Sequence, residues 1–128
     1  MKCFICALGK TNIGIPSRQT QQIISVTNAG GAENENQSVF ISLPDLFQQK
    51  DAAVHHGLIL KTSAGEPYKE RTVLLTPRID AELEIPEEDI HSLPEAMAGV
   101  YRHFTGAYCA DQKIILILNP EKIIESRS

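Results

Sequence analysis

The segment Lys113-Ile-Ile-Leu-Ile-Leu-Asn-Pro-Glu-Lys-Ile-Ile124 contains the clearest structural pattern in the chain, an apolar run followed by a helix start. A short apolar run that ends at a turn indicates a buried strand. Asn119 can accept hydrogen bonds from the first exposed amides of a helix, and Pro120 suits the first helical position. We therefore expect a strand over Lys113 to Leu118 that leads directly into a capped C-terminal helix.

The remainder of the chain is also rich in residues that favour strands. Ile, Val and Thr together number 27, and no apolar pattern with a helical period continues for more than about two turns. We expect an all-β protein with the following further strands: Met1 to Leu8, Asn12 to Pro16, Thr20 to Val26, Ser38 to Leu43, Gly57 to Thr62, Arg71 to Thr76, Arg78 to Ile85, and Tyr101 to Cys109. A short helical turn is expected at Pro44 to Gln49, and a core-poor, poorly ordered loop at Asn28 to Asn36.

The strand predicted at Arg78 to Ile85 alternates between apolar and charged residues. This alternation predicts four side chains directed towards the core: Ile79, Ala81, Leu83 and Ile85. The stretch from Asp80 to Glu95 has seven carboxylates and no Lys or Arg. We interpret it as a solvated face, with an acidic patch that steers a basic partner as the alternative.

Length and charge limit the classes of function. A chain of 128 residues is the size of one domain, and its net charge of -4 argues against nucleic-acid binding, which needs a basic face. The longest apolar run, Cys3 to Leu8, is too short to cross a membrane, and Lys10 follows it after the single residue Gly9. Three cysteines fit reduced thiols better than a disulfide framework. We expect a cytoplasmic protein that is not inserted in a membrane.

Residues with catalytic or metal-binding chemistry are present but scattered. Cys3 and Cys6 form a C-x-x-C pair, yet residues three apart on a strand point to opposite faces, so we expect two buried thiols. The four histidines lack the spacing of a zinc site, and no nucleotide-binding or serine-hydrolase motif occurs. We expect no catalytic residue, metal or cofactor. The alternative is a small β-barrel enzyme that uses Cys3, Cys6 or Cys109 with a histidine.

The N-terminal half resembles the opening of a known family, the CheW-like chemotaxis coupling domains. Leu8-Gly-Lys-Thr-Asn-Ile-Gly-Ile-Pro16, followed by Gln22-Ile-Ile24, is similar to the first two conserved segments of that family. The next similar segment is Ser38-Val-Phe-Ile-Ser-Leu-Pro-Asp-Leu-Phe47, which resembles a strand and turn of the family.

The C-terminal half resembles the same family in the same order. Its segments are Ile85 to Met97, then Phe104-Thr-Gly-Ala-Tyr108, then Lys113 to Ile124. The resemblance therefore touches nearly the whole chain. One departure is the absence of the family's Asn-Leu-Arg-Gly turn.

This resemblance implies two small intertwined β-barrels of SH3-like type that share a core, with short helical turns and a C-terminal helix. Residues 1–128 would form a single CheW-like domain made of two barrel subdomains. The implied function is a non-enzymatic adaptor that binds the regulatory domain of a CheA-type histidine kinase. Chemoreceptor tips and other CheW-like proteins are the further partners that it implies. A structural subunit unrelated to chemotaxis is the alternative with the same fold.

The resemblance also implies roles for particular residues. The expected partner-binding residues are Thr20, Ile23, Ile24, Val39 and Phe40. Thr20 stands where the family usually has an apolar residue of the receptor-facing groove, so a solvated hydroxyl is expected there. The threonine at this position and the missing turn together predict that the chain binds a receptor tip more weakly than it binds the kinase domain.

Three further residues are expected to have structural roles: Gly14, Pro16 and Gly106. Gly14 and Pro16 belong to the family's opening motif. Gly106 lies inside an apolar strand, where a glycine indicates a bulge or the close approach of another backbone segment.

Overall fold

Short β-strands make up most of the described structure. A computed structural model describes residues 1–26, 38–47, 49, 53–93, 102–110 and 112–125. The strands are β1 (Lys2–Leu8), β2 (Thr11–Pro16), β3 (Thr20–Ser25), β4 (Ser38–Ser42), β5 (His56–Leu60), β6 (Arg71–Thr76), β7 (Ile79–Glu84), β8 (Phe104–Ala110) and β9 (Lys113–Leu118). The helices are α1 (Leu43–Leu46) and α2 (Pro120–Glu125), and two 3₁₀ turns lie at Ser17–Gln19 and Glu87–Asp89. The prediction of an all-β fold with short helical turns and a C-terminal helix is confirmed.

The chain divides into two units, which we name by their place in the sequence. The terminal unit consists of Met1–Ser17 together with Asp80–Ser128, and the inserted unit consists of Arg18–Ile79. The chain thus leaves the terminal unit, forms the inserted unit, and then returns to complete the first sheet.

The terminal unit is built on a five-stranded mixed sheet with the order β7-β1-β2-β9-β8. β1 and β2 form an antiparallel hairpin, and β8 and β9 form a second one. β2 and β9 join these two hairpins by parallel pairing, in which Ile13 lies opposite Leu116. One face of the sheet carries a core cluster of Cys3, Ile5, Ile85, Ile115 and Ile117.

The inserted unit is built on a four-stranded mixed sheet with the order β3-β5-β6-β4. β5 and β6 form the antiparallel hairpin predicted from the turn-rich segment Ser63 to Pro67, and β4 pairs with β6 in parallel. Leu58, Val73 and Leu74 are completely buried. The two central strands therefore hold the core of this unit, and β3 and β4 form its edges.

Both helices of the described residues follow the local signals in the sequence. Pro44 and Asp45 lie in the first turn of α1, which starts one residue earlier than predicted. At α2, the amide of Glu121 donates to Asn119 Oδ1 at 3.1 Å, and Ile123 is buried. The prediction of a capped C-terminal helix is therefore confirmed. The loop predicted at Asn28 to Asn36 lies outside the described residues.

The inward alternation predicted for β7 is wrong over most of the strand. Ile85, just after it, is completely buried, but Ala81 is exposed and Leu83 is 41% exposed. β7 lies at the edge of its sheet. The core cluster contains Ile85, which follows β7, but no residue of β7 itself. Alternation fixes which side chains share a face, but it does not determine how far the core extends along that face.

Gly14 and Pro16 occupy crowded positions on β2. A Cβ atom on Gly14 would lie 3.1 Å from Ile117 Cδ1, 3.3 Å from Ile115 Cγ2 and 3.4 Å from Cys3 Cβ. Pro16 is buried and lies beyond the last pair that β2 makes with β9, so the parallel ladder does not need the amide hydrogen that proline lacks.

Gly106 lies where a second backbone segment crosses the edge of the terminal sheet. His91 and Ala107 exchange two backbone hydrogen bonds of 2.8 Å, and the register of β8 against β9 shifts between Phe104 and Gly106. A Cβ atom on Gly106 would overlap the carbonyl oxygen of His91. The glycine is therefore required by the close approach of the two backbones.

Replacing Gly106 with valine should lower the free energy of unfolding by about 1–3 kcal/mol, because the obstructing atom belongs to a hydrogen-bonded backbone. Urea unfolding followed by circular dichroism measures this change. Ala81→Val, which adds methyl groups at an exposed position of β7, is the control and should leave the midpoint unchanged. A Gly106→Val variant with the wild-type midpoint would contradict this account of the crossing.

Candidate partner-binding site

Strand β3 presents the most accessible of the predicted partner-binding residues. It is an edge of the inserted sheet and pairs with β5 on one side. Ile23 is 39% exposed and Ile24 is half-buried, with the exposed Gln22 before them and Ser25 after them. An edge strand with an exposed aliphatic side chain and polar neighbours is typical of a surface that receives a partner helix or strand.

Val39 and Phe40 lie on β4, at the other end of the strand order. Both are half-buried, and Phe40 pairs in register with Val73 of β6. Since β5 and β6 stand between β3 and β4 in the sheet, strand pairing does not place the two pairs of predicted residues side by side. Their common role in binding a partner stays a prediction.

Thr20 occupies a more enclosed position than expected. It begins β3 opposite Leu60 and is 8% exposed. The expectation of a solvated hydroxyl at this position is therefore wrong. The expectation came from the resemblance alone, whereas in this chain Thr20 pairs with the buried Leu60 next to a shift in register between Thr20 and Gln22.

A pocket of about 420 Å³ lies beside β3 in the inserted unit. Its lining combines side chains of β3, β5, the following turn and the start of β6: Gln21, Gln22, Ile59, Leu60, Pro67, Tyr68 and Arg71. Ile59 and Leu60 are buried, whereas the two glutamines are exposed. The pocket thus offers an apolar floor, with amides and one guanidinium among its lining, which suits an aliphatic side chain next to a carboxylate or amide.

The sequence did not reveal this pocket. Tyr68 and Arg71 are separated from Gln21 and Gln22 by about fifty residues, and the pairing of β3 with β5 and of β5 with β6 brings them together. A glutamine pair next to two isoleucines was the one local signal, because it places amides beside aliphatic side chains on one strand.

Two of the three thiols are buried on opposite faces of β1. Cys3 and Cys6 are completely buried, as predicted, and Cys3 belongs to the core cluster. Burial raises the pKa of the Cys3 thiol to about 11. A thiol with such a pKa is almost fully protonated near neutral pH, so Cys3 is a poor nucleophile.

Cys109 is exposed near the end of β8, and His103 lies just before the start of that strand. Six residues of extended chain separate them by roughly 20 Å, too far for proton transfer between the two side chains. Burial and the neighbouring Arg102 lower the pKa of His103. This arrangement does not supply the cysteine and histidine pair that a thiol-dependent enzyme needs.

The part of the chain that the structure describes contains neither a metal-ligand cluster nor a membrane-spanning helix. Within it, no group of three or more His, Cys, Asp or Glu side chains could hold a metal ion. Among the same residues, no helix is both long enough and apolar enough to span a bilayer.

The fold is similar to that of a known scaffolding protein. The solved structure of the scaffolding protein TtCheW from Thermoanaerobacter tengcongensis matches 91% of this chain and 82% of its own chain, with a TM-score of 0.62 and 16% sequence identity. No family model matches the sequence, and no curated protein matches it. The chain therefore has a CheW-like fold.

The thiols provide a direct test of the site geometry. In the folded protein, a thiol-specific reagent should modify one cysteine per chain quickly, and in denaturant it should modify all three, because Cys3 and Cys6 are buried. Cys109→Ser should abolish the fast reaction. Fast modification of two or more thiols in the folded protein, shown by mass spectrometry, would contradict this geometry.

Proposed function

We propose that this chain is a non-enzymatic adaptor of a chemosensory signalling complex. Its main partner is the regulatory domain of a CheA-type histidine kinase, and a chemoreceptor tip is the second partner. The observation that carries the proposal is the structural likeness to a scaffolding protein over 91% of the chain. We place the protein in the cytoplasm, where these partners are found, and take the two units as subdomains of one coupling domain.

The surface features support binding rather than catalysis. The edge strand β3 exposes Ile23 beside a pocket with an apolar floor, an arrangement that suits the apolar face of an amphipathic helix. Cys3 and Cys6 are buried, and the exposed Cys109 is separated from His103 by most of the length of β8. A thiol-dependent enzyme therefore has no observation in its favour.

Kinase binding should be stronger than receptor binding. The segments that resemble the coupling family most fully, from Ile85 to Ile124, belong to the terminal unit, which contains the crossing at Gly106 and the capped helix α2. The inserted unit lacks the Asn-Leu-Arg-Gly turn, and there the pocket beside β3 offers only a small apolar floor.

Isothermal titration calorimetry with the two isolated partners tests the function. The chain should bind the kinase regulatory domain with micromolar or tighter affinity and the receptor tip more weakly. No measurable heat with the kinase domain would reject the adaptor role in chemotaxis and leave a structural subunit with the same fold. Tighter binding to the receptor tip would reverse the proposed order of partners.

Ile23→Asp should weaken receptor-tip binding about tenfold or more, because docking buries the 39% of this side chain that is exposed, which contributes roughly 1 kcal/mol, and an unpaired charge in the contact opposes docking further. Binding of the kinase domain should remain unchanged. The control is Ser25→Asp, which adds the same charge on the same strand without removing an aliphatic group. If Ile23→Asp and Ser25→Asp have equal effects, the receptor does not bind at β3.

A further inference from the structure

Strand β3 has no neighbour on its outer side among the strands that the structure describes. Most of its residues are exposed, namely Gln21, Gln22, Ile23 and Ser25. The other edge of the inserted sheet is less accessible, because none of the β4 residues from Val39 to Ser42 is exposed. β3 is therefore the edge of this sheet that a further strand can reach most easily.

The backbone of β3 presents hydrogen-bonding groups to that outer side. The amide of Val26 donates to the carbonyl oxygen of His55 at 2.8 Å, and Ile24 lies opposite Gly57 two residues earlier in the same antiparallel register. Hydrogen-bonded pairs alternate along an antiparallel ladder. Ile24 therefore bonds inward to β5, and the N–H and C=O groups of Ile23 point to the outer side.

β3 also lacks the charges that protect most exposed edges. The stretch from Thr20 to Val26 contains no charged residue and no proline, and the nearest charged residues along the chain are Arg18 and Glu33. Natural edge strands are usually blunted by charged side chains or proline, and β7 of this chain carries three carboxylates. Two copies of β3 can thus meet without the like-charge repulsion that would separate two copies of β7.

The strand is complementary to itself in one antiparallel register. With Ile23 of one copy opposite Ile23 of the other, the outward backbone groups of the two residues form a hydrogen-bonded pair, and the strands overlap fully from Thr20 to Val26. The two isoleucine side chains, each 39% exposed, then lie side by side on one face. On the other face, Gln22 of each copy lies opposite Ile24 of its partner.

We propose that two copies of this chain join through β3 in this symmetric register, so that two four-stranded sheets become one continuous sheet. The contact is isologous and occupies both edges, so association stops at a dimer. A single strand pair buries far less than the roughly 1,600 Å² of a standard interface, so the dimer should be weak. It depends on backbone hydrogen bonds and aliphatic contact rather than on charge, so salt should not dissociate it.

The dimer covers Ile23, which the proposed function assigns to the receptor tip. Self-association and receptor binding therefore exclude each other, and the weak dimer holds the chain in a form that cannot bind the receptor. This exclusion rests on the proposed function, whereas self-association itself needs no other protein.

Sedimentation velocity of the full chain over a range of concentrations tests the self-association. The mean sedimentation coefficient should rise with concentration and level off at the value of a dimer, at low and at high salt. Ile23→Lys should lower the association constant at least tenfold, because it places two ammonium groups opposite each other, while circular dichroism shows an unchanged fold. The control is Ala81→Lys, which adds the same charge to the exposed edge β7 and should associate like the wild type.

Three results would overturn the self-association through β3. They are a wild-type chain that stays monomeric up to millimolar concentration, species larger than a dimer, and equal losses of association in the two lysine variants.

Disulfide cross-linking tests the register. Gln22→Cys and Ile24→Cys are made in a Cys109→Ser background, which removes the exposed native thiol. In the proposed register these two positions face each other with their Cα atoms about 4.5–5.5 Å apart, which a disulfide spans, whereas two copies of one variant hold their thiols too far apart. Mild oxidation should therefore give a cross-linked dimer from the mixture and none from either variant alone. Equal cross-linking of the single variants, or none in the mixture, would overturn this register.

The cross-linked dimer also tests the exclusion. In calorimetry it should not bind a receptor tip, and reduction of the disulfide should restore binding. Unchanged binding by the cross-linked dimer would show that the receptor contact lies away from β3 and would overturn the exclusion. A receptor tip that binds neither form would reject the receptor contact of the proposed function, and with it the exclusion, while the sedimentation result decides the self-association separately.

Discussion

The parallel pairing of β2 with β9 is the constraint on which the terminal unit depends. It joins the first hairpin of the chain to the last one, with Ile13 opposite Leu116 and Gly14 opposite Ile117. The absence of a side chain at Gly14 leaves the space in which Ile115 and Ile117 pack against Cys3. The core cluster therefore forms only when both ends of the chain are present, after the whole inserted unit has been made.

This central pairing determines which surfaces remain for partners. β1, β2 and β9 have neighbours on both sides in the sheet, so their backbones cannot receive another strand. The outer edge of β8 is engaged at Ala107 by the backbone of His91. Exposed aliphatic side chains are left on the edge strands β3 and β7, at Ile23 and Leu83. A fold that buries Cys3 and Cys6 and exposes such edges is suited to holding other proteins.

The sequence predicted the elements better than it predicted their surroundings. The strand and helix of Lys113 to Ile124, the hairpin of β5 with β6, and the opposite faces of Cys3 and Cys6 follow from local patterns and were correct. The exposure of Leu83 and the burial of Thr20 were not predicted, because they depend on which segments lie next to each strand. The pocket beside β3 also escaped prediction, since it combines residues from distant parts of the chain.

If the β2-β9 pairing closes the terminal unit by itself and leaves edge strands for partners, hydrogen exchange measured by mass spectrometry will show it. With and without the kinase regulatory domain, peptides from β2 and β9 should exchange slowest, and the kinase domain should slow exchange only in peptides that contain exposed residues. Fast exchange of β2 and β9 in the free chain, with protection gained only in the complex, would contradict it.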